Sequence, residues 1–385
     1  MVSSSCFSQG LSQPEQPPSI PPETMDAASY RKDISALAAK FEAQKIAFAP
    51  LAFQAVRALR NLGILRLVSE AGDRGLSREE AAEKAGVSVY GAGVLLEMAL
   101  GLGVCGLAEA ETERFVLGKT GWFLLEDEMT AVNFDFVNDV CYSGAPGLTE
   151  SIKTGKPKGL EVFGRWSTIY EALSSLPEGA KKSWFAFDHF YSDRAFAGAL
   201  PLVFASPPRR ILDIGGNTAK WAVLCCRRDA SVRVTVADLP GQTALAEQAA
   251  AAAGFADRIS VYPCDVLDPA AALPPGHDVI WMSQFLDCFA LEDVTAILRK
   301  IAAVSVPQTR VYILEPLWDK QRFEAAAFSL QATSLYFTCV ANGRSKMYRS
   351  GELRRAVEAA GFEADGEWHD LGSHCYSLLR FRPRP

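Results

Sequence analysis

Apolar residues recur at helical spacing through the first third of the chain, then gather after Pro207-Pro208 into short runs separated by helical stretches. Leu51, Ala55, Leu59, Leu62 and Leu65 place one apolar stripe on a helix. Ser77-Arg78-Glu79-Glu80 has the form of a capping box, in which hydroxyl and carboxylate exchange hydrogen bonds with two backbone amides. A short helix is therefore expected from Arg78, with Gly86 ending it and Ser88 capping the next, which runs to about Leu102. Phe115-Val116-Leu117 reads as a short strand. Residues 126–205 are mostly helical and rich in aromatics, among them Phe136, Trp184, Phe187 and Tyr191, which either fill a core or line an apolar pocket for a flat ligand. Beyond Pro208 strands are expected at 210–214, 232–237, 259–262, 279–282 and 311–314, with helices at 218–228, 243–253, 291–304 and 350–360. Two last strands follow at 362–371 and 375–381. Such alternation predicts a parallel sheet covered on both faces, with its ligand beyond the carboxyl ends of the strands.

The pattern divides the chain into residues 1–28, 29–125, 126–205 and 206–385. Ser3-Ser4-Ser5 and the prolines between Pro14 and Pro22 predict a disordered tail, with Met25 as an alternative start. The helix–turn–helix and strand of 29–125 have the form of a winged-helix module. A recognition helix needs donors for phosphates and base edges, yet the only charge between Ser88 and Leu107 is Glu97. That helix is expected to pack against protein, and no nucleic-acid partner is expected.

Composition agrees. A formal charge of −6 gives no bulk attraction to nucleic acid or anionic membrane. The nine cysteines form no CxxC pair, so reduced thiols are expected rather than a zinc site or disulfides. No apolar run reaches the roughly 20 residues that span a bilayer, and the start lacks the basic and apolar regions of a signal peptide. A cytoplasmic protein without membrane contact is expected.

Cofactor chemistry enters at the first strand after Pro208. It ends in Asp213-Ile214-Gly215-Gly216-Asn217-Thr218, where glycine lets a backbone approach a ligand closely. Asp238 ends the second strand, where a carboxylate can accept from both hydroxyls of a ribose. A nicotinamide enzyme would want G-x-G-x-x-G to seat a pyrophosphate, and that spacing is absent. A cofactor without phosphate fits better.

Asp213-Ile214-Gly215-Gly216, the Ala237-Asp238-Leu239-Pro240 turn and Asp265 resemble the cofactor motifs of class I S-adenosylmethionine-dependent methyltransferases. More narrowly they resemble the small-molecule O-methyltransferases of the caffeic acid and hydroxyindole type, over nearly all of residues 30–385. The resemblance implies a Rossmann-like doubly wound α/β sheet behind a winged-helix dimerisation domain, and so a homodimer. It implies S-adenosyl-L-methionine as cofactor, with Gly215 and Gly216 beside its methionine part, Asp238 at the ribose and Asp265 at the adenine amine, and Leu239 and Val266 as further cofactor-binding residues. Met282, with Trp281 or Ser283 nearby, stands where the family encloses the adenine ring or contacts the cofactor. Asp213 is either a cofactor contact or a structural partner of the glycine turn. The family's third glycine is replaced by Asn217, and another small residue stands at Ala219.

The family's usual base is a histidine in His-Asp-Trp after the fourth strand. Here the segment is Phe285-Leu286-Asp287-Cys288-Phe289, which puts Asp287 at the base position and Glu315 at that of a helper glutamate. A second helper acid, expected near Lys346-Met347, is missing. Aspartate, with a usual pKa near 3.9, is a weak base unless burial or a second carboxylate raises it. Asp287 otherwise caps the helix starting near Leu291 or pairs with an Arg or Lys. His189 is the alternative base, or a packing residue among aromatics. The implied acceptor is a small phenolic metabolite methylated on oxygen, with ring carbon or an amine on the same scaffold as alternatives, or a relative that binds the cofactor without methyl transfer.

Overall fold

A computed structural model of the chain describes Tyr30, residues 33–109 and residues 113–385. The expected tail, residues 1–28, lies outside them. The N-terminal helices are α1 (Ala36–Ala47), α2 (Ala49–Asn61), α3 (Ile64–Ala71), α4 (Arg78–Ala85) and α5 (Val89–Gly101). Strands β1 (Cys105–Leu107) and β2 (Phe115–Leu117) pair antiparallel as a small wing. The capping box at the start of α4 forms, with Ser77 Oγ accepting from the Glu80 amide and Glu80 from the Ser77 amide. Gly86 ends α4 in left-handed backbone and Ser88 caps α5. Ala92, Leu96 and Ala99 of α5 are fully buried, in a core shared with Val56, Leu65 and Phe115. One face of α5 therefore packs into the domain core, while Tyr90 and Val94 on the other are exposed.

Next come α6 (Lys119–Glu126), α7 (Glu128–Phe136), α8 (Leu148–Thr154), the short α9 (Ile169–Ala172) and the long α10 (Glu178–Val203). A π-helical turn, Val137–Cys141, continues α7.

The sheet comprises β3 (Arg210–Ile214), β4 (Arg233–Asp238), β5 (Ile259–Pro263), β6 (Val279–Ser283), β7 (Arg310–Glu315), β8 (Phe362–Asp370) and β9 (Tyr376–Pro383). Their spatial order is β5-β4-β3-β6-β7-β9-β8. The first five run parallel, and β9 lies antiparallel to both β7 and β8. The crossover helices are α11 (Lys220–Arg228), α12 (Pro240–Ala252), α13 (Leu291–Val304), α14 (Glu324–Tyr336) and α15 (Ser350–Ala359). Two cores result, one where Trp221, Ala246 and Phe196 meet one face of the sheet, the other where Ile297, Leu353 and Val357 meet the opposite face.

Between β3 and β6 the order of strands reverses, and a crevice opens there at the carboxyl ends. The sequence pattern did not assign α14, which carries apolar residues on exposed as well as buried faces: Phe328 is 68% exposed and Leu330 buried. Among the described residues no helix is long and apolar enough to cross a membrane.

Candidate active site

The chain leaves β3 through Gly215, whose φ of +74° strains any side chain. A Cβ at Gly215 would collide with the Phe285 ring, and one at Gly216 would stand 2.6 Å from Asp213 Oδ2. Asn217 and Ala219 hold left-handed backbone without being glycine, at φ +46° and +57°. Each costs about 1 kcal/mol, and the second delays α11 to Lys220 rather than the expected Thr218. Hydrogen bonds hold the turn: Gly215 N donates to Ala237 O at 2.8 Å and Asn217 N to Asp238 Oδ2 at 2.9 Å. The Leu239 amide donates to Asp238 Oδ1 at 2.7 Å. Asp238 is half-buried and its carboxyl is raised above its ordinary value, burial outweighing these two amides.

A cavity of about 100 Å³ lies at this turn, bounded by Asp188 and His189 of α10, Gly216, Lys220, Trp281 and Ser283. Two of its polar walls lack partners. Asp213 is 2% exposed and its Oδ2 makes no hydrogen bond, while Ser283 Oγ is likewise buried and unpaired. Burial, and then the charge of Asp238, push the Asp213 carboxyl up to about 8. Orphaned buried polar atoms are rare, and a polar cationic ligand would satisfy these. The Trp281 indole stacks on Trp221 at 3.8 Å between centroids. Residue types and placement thus fit S-adenosylmethionine: a glycine cradle, an acid at the end of β4, and unpaired acceptors between them.

Other expected cofactor residues stand elsewhere. The pleat of β6 turns Met282 to the opposite face from Trp281, and it is fully buried among Leu212, Ile214 and Ile313. Its side chain is not among those bounding this cavity. Val266 is buried in the same core. Asp265 and Leu239 are exposed and neither bounds this cavity, Asp265 accepting from the Leu267 amide at 2.9 Å.

A second, largely apolar cavity of about 350 Å³ lies between α7, α10 and α14. Phe136 and Phe187 stack at 4.0 Å on its wall, and the Trp184 indole donates to the Tyr336 hydroxyl at 2.8 Å. Two π-helical turns, Val137–Cys141 and Phe337–Ala341, contribute to its lining. Such turns are frequent at functional sites. Phe187 faces this cavity and the next residue, Asp188, faces the cofactor-type cavity, so α10 joins the two.

Asp287 occupies a 3₁₀ turn, Leu286–Cys288, and is 5% exposed. Neither structural role expected for it is seen. Helix α13 starts after Ala290 without a side-chain cap, and no Arg or Lys is among the groups acting on Asp287. Its Oδ1 accepts from Cys288 Sγ at 3.5 Å. Glu315, at the end of β7, accepts with Oε1 from the Phe285 and Leu286 amides at 3.0 and 2.9 Å, which fastens the turn carrying Asp287. Glu315 Oε2 is buried without a partner. Burial, opposed by Cys288 and assisted by the charge of Asp188, pushes Asp287 up to about 7. Burial first and Asp287 second raise Glu315 well above the carboxylate range. Lys346 pairs with Glu352 at 2.7 Å. The second acid acting on Asp287 comes instead from α10 as Asp188, beside the exposed His189 that the sequence singled out.

Residues 40–115 match the family model of the Dimerisation2-like domain, and residues 187–366 that of a methyltransferase domain. The solved apo structure of the S-adenosylmethionine-dependent methyltransferase SibL superposes with a TM-score of 0.64 at 26% identity, over 88% of this chain and 98% of that one. The chain belongs to the S-adenosylmethionine-dependent methyltransferases. An L-tyrosine C(3)-methyltransferase from Streptomyces lavendulae is 24% identical over 326 residues, 83% of this methyltransferase and 86% of the relative. A 3-hydroxy-5-methyl-1-naphthoate 3-O-methyltransferase from Streptomyces sahachiroi is 30% identical over 210 residues, 54% and 58% of the two chains.

Proposed function

We propose that this methyltransferase methylates a small phenolic aromatic metabolite, on the phenol oxygen in the first reading. The observation that carries this is an apolar cavity walled by stacked aromatics and joined along α10 to the cofactor-type cavity; Asp287 is a buried carboxyl of raised pKa in the turn after β6. S-adenosylmethionine supplies an electrophilic methyl group. Asp213, Gly215, Gly216, Asp238, Leu239 and Ser283 would hold it, with Asp265 at the exposed adenine end.

The chain's own contribution is then orientation and proton removal. Phe136 and Phe187 orient a flat acceptor, and alignment of this kind supplies on the order of 7–11 kcal/mol. Asp287 takes the phenol proton while Glu315 fixes the turn beneath it. An Asp with a usual pKa near 3.9 is a weak base, but one lifted to about 7 is matched to neutral pH. His189 is the alternative base, reaching from the cofactor-type cavity. Ring carbon is the second reading, favoured by the likeness to an L-tyrosine C(3)-methyltransferase across 83% of the chain. Two copies would pair through the N-terminal helices, where Leu37, Ile46 and Leu51 are more than two-thirds exposed (81, 77 and 68%).

The test combines calorimetry with transfer. Wild type is expected to bind S-adenosylhomocysteine, and labelled cofactor to mark one member of a panel of hydroxynaphthoates, simple phenols and L-tyrosine. The product's methyl resonance separates oxygen from carbon. Binding without labelling of any phenol would defeat the acceptor assignment; absence of binding would defeat the cofactor site.

A further inference from the structure

The antiparallel end of the sheet carries a row of polar side chains that leads from the buried Glu315 towards the surface. Strand β9 lies between β7 and β8, and its Ser377 pairs with Glu315 across the β7–β9 ladder. By the alternation of the pleat both lie on the face that carries Ile313, Leu379 and Phe381. On the other side of β9, Glu367 pairs with Leu379 and Trp368 with Leu378. One step further, His369 Nδ1 lies 2.8 Å from Ser377 Oγ, and His369 Nε2 lies 3.0 Å from Glu367 Oε1. Glu315, Ser377, His369 and Glu367 thus follow one another across three neighbouring strands.

Burial falls along the row. Glu315 and Ser377 are 3% and 1% exposed, whereas the side chains of His369 and Glu367 are 18% and 26% exposed. The donors and acceptors also run in order. Glu315 Oε1 accepts from two backbone amides, and Oε2 is buried without a partner. Burial raises this carboxyl well above its ordinary range, so a proton it holds sits on Oε2 and lacks an acceptor. A serine hydroxyl donates once and accepts twice, so Ser377 can donate to His369 and still accept from Glu315. Facing residues on antiparallel strands stand about 4.5–5.5 Å apart at Cβ, a gap that a turn of the Glu315 side chain or one bridging water closes. Burial lowers His369, against the pull of Glu367, so the ring rests neutral with one nitrogen to accept and one to donate. Arg354, at 2.6 Å, anchors Glu367 at the outer end.

We propose that Glu315, Ser377, His369 and Glu367 form a proton path from the buried end of β7 to solvent, with Ser377 and His369 as its positioning residues. Its part in turnover rests on the reading of Asp287 as the base. Methylation of a hydroxyl leaves one proton behind in each turnover, and Asp287 is only 5% exposed. The Glu315 Oε2–H bond breaks as a new O–H bond forms on Ser377 Oγ, and the serine's own proton passes to His369 Nδ1. The imidazolium loses its Nε2 proton to Glu367 and from there to water, and rotation of the ring restores the starting tautomer. Glu315 then takes the proton that Asp287 received, which leaves Asp287 a carboxylate for the next acceptor.

Infrared spectroscopy reads the path without any acceptor. The protonated Glu315 carboxyl, marked by isotope-labelled glutamate and assigned by its loss in Glu315→Gln, shifts its band when the full-length protein enters deuterium oxide. Ser377→Ala and His369→Phe are expected to slow that shift at least about tenfold, below a typical proton-transfer contribution. Ser377→Thr keeps the hydroxyl and should restore the wild-type rate. With an identified acceptor, kcat should fall in Ser377→Ala while KM stays, and Ser377→Thr should again recover it. Exchange at the wild-type rate in both Ser377→Ala and His369→Phe would overturn the path, as would a Ser377→Thr variant as slow as Ser377→Ala. An unchanged kcat beside slowed exchange would overturn its part in turnover. Failure to label any acceptor would strike the functional reading alone, since the exchange rate still decides the path.

Discussion

Asp238→Ala is expected to weaken S-adenosylhomocysteine binding by at least about a hundredfold, the loss anticipated for removing a charged acceptor of two hydrogen bonds. Calorimetry on wild type and variant measures it. Two effects add. The variant removes the acid that ends β4, and it releases the Asn217 amide, which Asp238 holds at 2.9 Å and which keeps Asn217 in left-handed backbone. Asp238→Asn keeps one acceptor oxygen and should fall between the two. Melting temperature should change little, because burial already penalises this carboxylate and its loss offsets that of two amide bonds. A variant that binds as tightly as wild type would remove Asp238 from the cofactor site.

Gly215→Ala gives a contrasting result. Its added Cβ meets the Phe285 ring at a φ of +74°, so the fold itself is strained. A loss of about 1–3 kcal/mol of stability is expected, read by denaturant unfolding. The ring belongs to the segment that leads into Asp287, so this variant should disturb both the turn after β3 and the turn after β6.

Strand–helix alternation was legible because the parallel strands are buried on both faces and read as apolar runs, Ile211-Leu212 and Ile280-Trp281 among them. The capping box and Gly86 were legible because their effect is local. Helix α14 escaped because its apolar residues face several surroundings at once, which blurs any single stripe. Met282 shows another limit. Position along a strand gives nearness to a site, but the pleat decides which of two neighbours faces it, and here Trp281 does. Asp188 was hidden for a third reason. Its place depends on α10 bringing it to the cavity at the glycine turn, which no spacing in the sequence shows. The one signal was the neighbouring His189, noticed for its residue type.

Asp287→Asn should separate catalysis from stability in opposite directions. Turnover is expected to drop at least roughly tenfold, at or below the low end of an acid–base contribution, with cofactor affinity unchanged. The sign of the stability change follows from linkage. The folded-state pKa of Asp287 lies above its unfolded value near 3.9, so its contribution is fully present below that value and lost as pH rises through about 7. At about pH 8 the wild type carries a buried carboxylate, whereas asparagine resembles the protonated acid in shape and charge. The variant should then melt at least about 2 °C above wild type at pH 8, and the gap should close towards pH 5. A catalytic group held at a cost to the fold shows this inverse pattern. Equal turnover in the variant would move the base to His189, whereas lower stability at pH 8 would mean that Asp287 serves the fold through its bond with Cys288.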